Sequence, residues 1–363
     1  MPSKKSVCVA MSGGVDSSVV AAMLKKRGYD VVGVTMQIWQ ESQKDPRHAG
    51  CCSLGAVEDA RRVARILDIP HYVINYKDTF RETVIDEFVQ EYEAGRTPNP
   101  CVTCNKKVKF GALLEKAEDL GCDFLATGHY ARIRRDRATG RHRLLRARSA
   151  TKDQSYVLYM LRQAQLERLY FPLGELDGKA ETRQMARDLG LPVADKPESQ
   201  EICFVSDAGG YREFLRKKRP EMFGEGEIVH QSGEVVGKHQ GVAGYTVGQR
   251  RGIGVTLNDG KPLYVLSLEP KSNRVVVGDN QALNQKEVEL TEVVWSGYEP
   301  SETSETPLRV MAKIRYNMEP RSARLYAEPE PRIVFDEPVR AVTPGQIAVA
   351  YRGKTVVAGG KIP

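Results

Sequence analysis

The chain has 363 residues, 41% of them hydrophobic and 28% charged, with a net charge of +7. That length exceeds one ordinary core and predicts two or three domains, and the composition is that of a globular protein, not a disordered or fibrous one. No run of about 18 apolar residues occurs, which argues against a membrane span; the short apolar stretch after MPSKK runs straight into glycines and is not read as a signal peptide, so the expected location is the cytoplasm.

In chain order, Ser6–Ala10 reads as a strand and Asp16–Lys26 as a helix, with Val19, Val20, Met23 and Leu24 at helical spacing. Between and across them lies Met11-Ser12-Gly13-Gly14-Val15-Asp16-Ser17-Ser18. Glycines let a backbone turn tightly and approach a ligand, and a helix N-terminus offers unpaired N–H groups to an anion. Ala10, Met11, Ser12, Gly13, Gly14, Val15, Asp16, Ser17 and Ser18 are therefore candidate phosphate-binding residues, the serines as hydroxyl donors and Asp16 as a ligand for Mg2+. A plain Gly-Gly turn capped by Asp or Ser is the alternative, but strand, glycines, serines and helix coincide here. Neither a Walker Gly-Lys-Ser/Thr nor a G-x-G-x-x-G dinucleotide fingerprint is present.

Strands at Val31–Met36, His71–Asn75 and Phe124–Ala126 alternate with helices at 55–67, 79–93, 110–120 and 179–189, the last closed by Gly190 and Pro192. This alternation predicts an α/β fold with a doubly wound parallel sheet, binding ligands beyond the C-terminal ends of its strands. Between Arg132 and Lys152 stand nine Lys or Arg and one acid, Asp136, a local charge of +8 that leaves the remainder at −1. Such a stretch suits a nucleic-acid backbone, and equally a solvated charged hairpin.

The seven cysteines are Cys8, Cys51, Cys52, Cys101, Cys104, Cys122 and Cys203. An odd count does not suggest a disulfide framework. Cys8 and Cys122 are expected in the core. In Thr97-Pro98-Asn99-Pro100-Cys101-Val102-Thr103-Cys104-Asn105 two prolines predict a rigid approach to a Cys-x-x-Cys pair, which can bind a metal, form a disulfide or lower a partner's pKa. A zinc site completed by Cys51 and Cys52 is the structural alternative. Cys203 lies in Glu198–Phe204, beyond a Pro-containing loop.

After about residue 206 the pattern changes. One helix, Tyr211–Lys217, precedes short β-rich runs at Glu227–Val229, Val235–Lys238, Tyr264–Leu268 and Arg274–Val277, then six candidate strands at 288–294, 308–313, 321–326, 332–335, 346–351 and 355–359, with 299–307 as a loop. The expected domains are a catalytic domain over 1–207, a small β-rich domain over 208–284 and a C-terminal β-barrel over 285–363.

Ser12–Ser18, SGGVDSS, resembles the pyrophosphate loop of the ATP-pyrophosphatase superfamily. TPNPCVTCN, ATGHY (Ala126–Tyr130), KDQSYVLY (Lys152–Tyr159), SQEICF and GYTVGQRRGIG (Gly244–Gly254) together are similar to the tRNA-specific 2-thiouridylases across nearly the whole chain. The resemblance implies ATP as co-substrate, 2-thiolation of a wobble uridine (position 34) in tRNA, and three domains. It implies that Cys203 carries a persulfide with Cys104 as partner thiol, and that Met36 and Gly128 lie at the ATP. Asn99, Pro100 and Cys101 would face the base; His129, Lys152, Asp153, Gln154, Arg315, Tyr316 and Gln346 match tRNA-contact positions. The family's best-known members carry Asp where Cys101 stands, and Cys101, Cys104 and Cys203 can alternatively hold a [4Fe-4S] cluster with one open iron. The implied partners are tRNA and an upstream sulfur-donor protein, with no membrane and no DNA.

Overall fold

The computed structural model describes residues 4–39, 54–198, 202–205, 208–255, 261–298, 307–327 and 329–363. Cys51 and Cys52, with any part they take in a metal site, and most of the loop 299–307 lie outside these.

Seven strands occupy the first part of the chain: β1 (Ser6–Ala10), β2 (Asp30–Gln37), β3 (His71–Asn75), β4 (Phe124–Ala126), β5 (Ala131–Arg135), β6 (His142–Arg146) and β7 (Leu169–Tyr170). Five of them form a parallel sheet in the order β3-β2-β1-β4-β7. Side chains alternate across a strand, and β1 uses both faces. Val7 and Val9 join one core with helix α1 (Val15–Lys26), helix α2 (Leu54–Ile66) and the helix Lys179–Asp188, whereas Cys8 joins Val34, Leu125, Phe110 and Leu113 on the other face. This two-sided burial explains why β1 is a continuous apolar run. Cys8 and Cys122 are both buried, and burial, then Cys122, pushes the Cys8 thiol up to about 12.

The helix expected over 110–120 begins ten residues earlier. Pro100–Thr103, Cys104–Ala112 and Leu113–Asp119 run on as one helical segment, its middle part wound with wider turns. Pro100 is at its first position, where a missing N–H costs nothing. Asn99, before Pro100, keeps a non-helical backbone at φ −111° and ψ 89°, as a residue ahead of proline should, and Pro100 starts the helix that carries Cys101 and Cys104.

The basic stretch forms the antiparallel hairpin β5–β6, and it leaves the parallel sheet. Four strands, β8 (Gly226–His230), β9 (Val235–His239), β10 (Tyr264–Glu269) and β11 (Arg274–Gly278), make the middle sheet around Ile228, Val265, Val275 and Val277. The C-terminal barrel contains β12 (Asn284–Glu289), β13 (Thr291–Trp295), β14 (Leu308–Lys313), β15 (Arg321–Tyr326), β16 (Arg332–Arg340), β17 (Ile347–Arg352) and β18 (Thr355–Lys361). The run expected as one strand over 288–294 is thus two, broken at Leu290. The barrel's sheet continues from β18 onto β6 and β5, and Tyr156, Leu144 and Leu158 share a core with Val349, Tyr351 and Val356. The Tyr156 hydroxyl donates to the carbonyl of Ile347 at 2.7 Å.

A buried ion group fixes the same junction. Glu91, 6% exposed, accepts hydrogen bonds from Arg96 at 2.7 and 2.9 Å and pairs with Lys361 of β18 at 2.8 Å.

Candidate functional site

In the parallel sheet the chain runs outward from β1 through β2 to β3 on one side and through β4 to β7 on the other. The loops after β1 and β4 therefore part at their C-terminal ends and leave a crevice. A cavity of about 350 Å³ opens there, lined by Ala10, Met11, Ser12, Gly14, Val15, Asp16, Ser17, Met36, Gly128 and His129 among others. Gly13 and Ser18 do not line it. Ser18 is buried and donates its hydroxyl to the Gly14 carbonyl at 2.9 Å, so it serves the helix and is not a donor to the cavity as expected. Gly13 has φ +69° and sits so close to α2 that a Cβ would fall 2.0 Å from the Ala56 carbonyl oxygen.

Gly14 caps α1 without a side-chain hydrogen bond, leaving the first-turn N–H groups to whatever enters the cavity. Ser17 Oγ accepts from the Ser12 N–H at 3.1 Å and holds the loop against the helix. Thr35 donates to the Met11 carbonyl at 2.7 Å. Gly128 packs on the same helix end: a Cβ there would lie 2.9 Å from Asp16 Cβ and 3.1 Å from the Ser17 nitrogen. Any side chain at 128 would cover the N–H groups.

Charge is concentrated at the mouth. Asp16 accepts from the Tyr130 hydroxyl at 2.8 Å and pairs with Lys179 at 2.8 Å. Burial, then Asp16, drives the Tyr130 phenol far above its ordinary value, so it donates. Lys179 also reaches Glu198 at 3.3 Å, and Glu198 pairs with Lys152 at 2.9 Å. Lys196 bridges the Gly13 carbonyl at 3.0 Å and Asp59 at 2.7 Å. Lys109, Lys179, Lys196 and Glu198 line the cavity and were not anticipated; lysines in a wall before a helix N-terminus have no spacing signature. His129 Nδ1 lies 2.7 Å from Thr127 Oγ1. Burial, then Lys109, holds its imidazole well below the ordinary value, so it is neutral near pH 7.

A second group of predicted residues gathers at the start of the Cys101–Cys104 helix. Gln346 Nε2 donates to the Thr97 carbonyl at 2.8 Å and the Thr97 N–H donates to Pro344 at 2.8 Å. Asn99 precedes Pro100, and its carbonyl receives the Val102 N–H at 3.0 Å. Tyr316, 41% exposed, packs edge-on against Tyr156; burial, then Asp153 and Cys101, raises its phenol pKa. Arg315 donates to the Arg340 carbonyl at 2.7 Å. Gln154 lines the cavity and accepts from the Tyr130 N–H at 3.0 Å. Asp153 is buried, and its carboxylate takes hydrogen bonds from Arg146, Ala147 and Ser155. Expected against RNA, it has framework donors instead.

Cys101 is exposed, Cys104 buried and Cys203 half-buried. Cys104 and Cys203 belong to one cluster with Phe80, Phe88, Phe204 and Phe214. Met36 and Ile38 belong to the same cluster and also line the cavity, so a single wall separates the two sites. Among the described residues no three His, Cys, Asp or Glu side chains are gathered as a metal site. Asp16 and Glu198 are hard oxygen donors of the kind magnesium takes, each now paired with Lys179.

At least four of the nine cations of the basic stretch pair with acids outside it, and Arg143 pairs with Asp136 within it. Arg134 pairs with Glu175, Arg143 with Asp136, Arg146 with Asp153, Arg148 with Asp177 and Lys152 with Glu198. Arg143 is buried, its guanidinium 4.0 Å from the Tyr298 ring centre. Arg134, Arg135, Arg137 and Arg148 are exposed.

Three family models match the chain: a tRNA methyl transferase HUP domain over residues 5–207, a tRNA methyl transferase PRC-barrel domain over 212–279 and an aminomethyltransferase beta-barrel domain over 285–362. Similar relatives include the tRNA-specific 2-thiouridylase MnmA of Clostridioides difficile, 48% identical over 99% of this chain and 98% of that protein. Proteins of the same name from Moorella thermoacetica and Magnetococcus marinus are each 49% identical, over 98% and 98%, and over 100% and 100%, of the two chains.

Proposed function

The chain belongs to the tRNA-specific 2-thiouridylase MnmA family of tRNA sulfurtransferases, and from this we propose that it uses ATP to replace the C2 oxygen of the wobble uridine, position 34, with sulfur. The observation that carries the reading is the shared wall: Met36 and Ile38 belong at once to the nucleotide-sized cavity and to the cluster that holds Cys104 and Cys203.

ATP lies with its phosphates at the N-terminus of α1, against Ser12–Ser17 and Gly128, where the unpaired N–H groups and Lys109, Lys179 and Lys196 meet negative charge. Asp16 and Glu198 would hold the magnesium that arrives with ATP, which screens the phosphate charge. The tRNA docks over the exposed hairpin arginines and the barrel, and its wobble base leaves the stack to reach the pocket beside Asn99, Pro100, Cys101 and Tyr316. The uracil O2 attacks the α-phosphorus and pyrophosphate leaves. The terminal sulfur of a Cys203 persulfide then attacks C2 and AMP leaves. The Cys104 thiolate attacks Cys203 Sγ, the S–S bond breaks, and thiouridine departs as a Cys104–Cys203 disulfide forms. The sulfur route runs through the persulfide, since among the described residues no three His, Cys, Asp or Glu side chains are gathered to hold a metal. An upstream protein supplies the sulfane sulfur. Residues 1–207 carry the chemistry, and 208–284 with 285–363 hold the tRNA. Among the described residues no helix is long and apolar enough to cross a membrane.

The test is thiouridine formation with tRNA, ATP and a persulfide donor, alongside release of pyrophosphate. Cys203→Ser and Cys104→Ser should each lower thiouridine yield by at least a hundredfold while ATP still binds. Thiolation retained by Cys203→Ser would overturn the reading.

A further inference from the structure

Two thiols stand three residues apart on the helix that begins at Pro100, and they differ in access: Cys101 is exposed and Cys104 is buried. Residues three apart in a helix have Cα atoms ~5 Å apart, inside the ~4.4–6.8 Å range that a disulfide spans. Cys104 also shares its aromatic cluster with Cys203. A disulfide between Cys104 and Cys203 would therefore lie among Phe88, Phe204 and Phe214, where a bulky reductant has poor access, whereas one between Cys101 and Cys104 would have one sulfur at the surface.

We propose that Cys101 is a relay thiol that carries the disulfide left by each turnover from the buried pair to the surface. The inference rests on the persulfide reading above. The Cys101 thiolate attacks Cys104 Sγ of the Cys104–Cys203 disulfide, a Cys101–Cys104 bond forms, the Cys104–Cys203 bond breaks, and Cys203 leaves as a thiolate ready to accept sulfur again. One disulfide is exchanged for another, so no electrons enter or leave at this step. An external dithiol then reduces the exposed disulfide, giving up two electrons and two protons and becoming a disulfide itself. The Thr97–Pro344 and Thr97–Gln346 hydrogen bonds fix the approach to the helix start.

The experiment uses the full chain charged with glutathione persulfide, then given tRNA, ATP and magnesium without reductant, acid-quenched, alkylated and mapped by mass spectrometry. One thiouridine per chain should appear with the Cys101–Cys104 disulfide in at least tenfold excess over Cys104–Cys203. A predominance of Cys104–Cys203, or Cys101 recovered alkylated, would overturn the relay. In Cys101→Ser the Cys104–Cys203 disulfide should accumulate. With dithiothreitol present, the steady-state rate of that variant, divided by its own first-turnover burst, should fall at least tenfold; a ratio equal to wild type would sink the proposal. Failure of the underlying reading looks different: the charged wild-type chain would form no thiouridine, or would form it with no disulfide at all.

Discussion

The Asp16 carboxylate and the Lys179 ammonium lie 2.8 Å apart, joining the first turn of α1 to the first residue of a helix 163 positions later. Lys179 is only 12% exposed and lines the cavity. It both neutralises Asp16 and brings a positive charge to the place where phosphates would enter.

Lys179→Met should therefore weaken ATP binding. The variant loses a charge-assisted contact of about 1.5–3 kcal/mol and leaves Asp16 to repel the phosphates, so the dissociation constant should rise about tenfold or more. Titration calorimetry with ATP and magnesium reads this directly, and an unchanged constant would remove Lys179 from the site.

The two glycines of the site should fail in different ways. Gly13→Ala forces a left-handed residue and a Cβ 2.0 Å from the Ala56 carbonyl oxygen, so urea denaturation should show a loss of roughly 2 kcal/mol or more. Gly128→Ala crowds Asp16 Cβ and the Ser17 nitrogen, and its main effect should be a fall of at least tenfold in ATP affinity. Full ATP affinity in Gly128→Ala would mean that the N–H groups of α1 are not where the phosphates bind.

Glu91 predicts an acid-sensitive junction. Burial alone would raise its pKa, but hydrogen bonds from Arg96 and Lys361 outweigh burial and hold it below the ordinary 4.5. A depressed carboxylate stabilises the fold above its unfolded pKa, and that contribution fades as pH falls through the lower folded value. Glu91→Gln should melt below wild type at pH 7, and the gap should close as pH drops below about 4.5. A gap independent of pH would show that the ion group adds nothing to the barrel's attachment.

The hairpin arginines should separate into two classes. Arg143 lies between Asp136 and the Tyr298 ring, and Arg143→Ala should destabilise by roughly 2 kcal/mol with little change in the salt dependence of tRNA binding. Arg135 and Arg137 are exposed. Replacing both with alanine should reduce the slope of log affinity against log salt by about one to two, measured by filter binding. An unchanged slope would make the exposed edge of the hairpin a solvated surface.

The parts of this architecture that could be read from sequence are those written in local patterns. β1, the glycine loop and α1 were visible because strand, turn and helix signals abut, and the chain order of strands and helices announced a parallel sheet. Less legible was anything that depends on distant partners. The Arg132–Lys152 stretch looked like an unbalanced charge because its acids, Glu175, Asp177 and Glu198, come later in the chain. Pro98 and Pro100 announce a rigid approach to the cysteine pair, but not that Pro100 is the first residue of a helix, a position that suits proline equally well. Lys109, Lys179 and Lys196 reach one cavity from three separate segments, a convergence that no single window of sequence contains.

The hairpin β5–β6 lies before the halfway point of the chain, yet it extends the sheet built by the last eighty residues, and Tyr156 and Leu144 pack with Val349 and Val356 in one core. Such an arrangement is not modular. A fragment ending before β12 would expose the flank of β6 and the part of the core that Ile347, Val349, Tyr351 and Val356 cover, inviting edge-to-edge aggregation, and a barrel grafted from another protein would have to reproduce that seam. The carboxyl end is thereby tied to the approach to the cysteine helix: Gln346 and Pro344 both bond to Thr97, so a change at one place reaches the other.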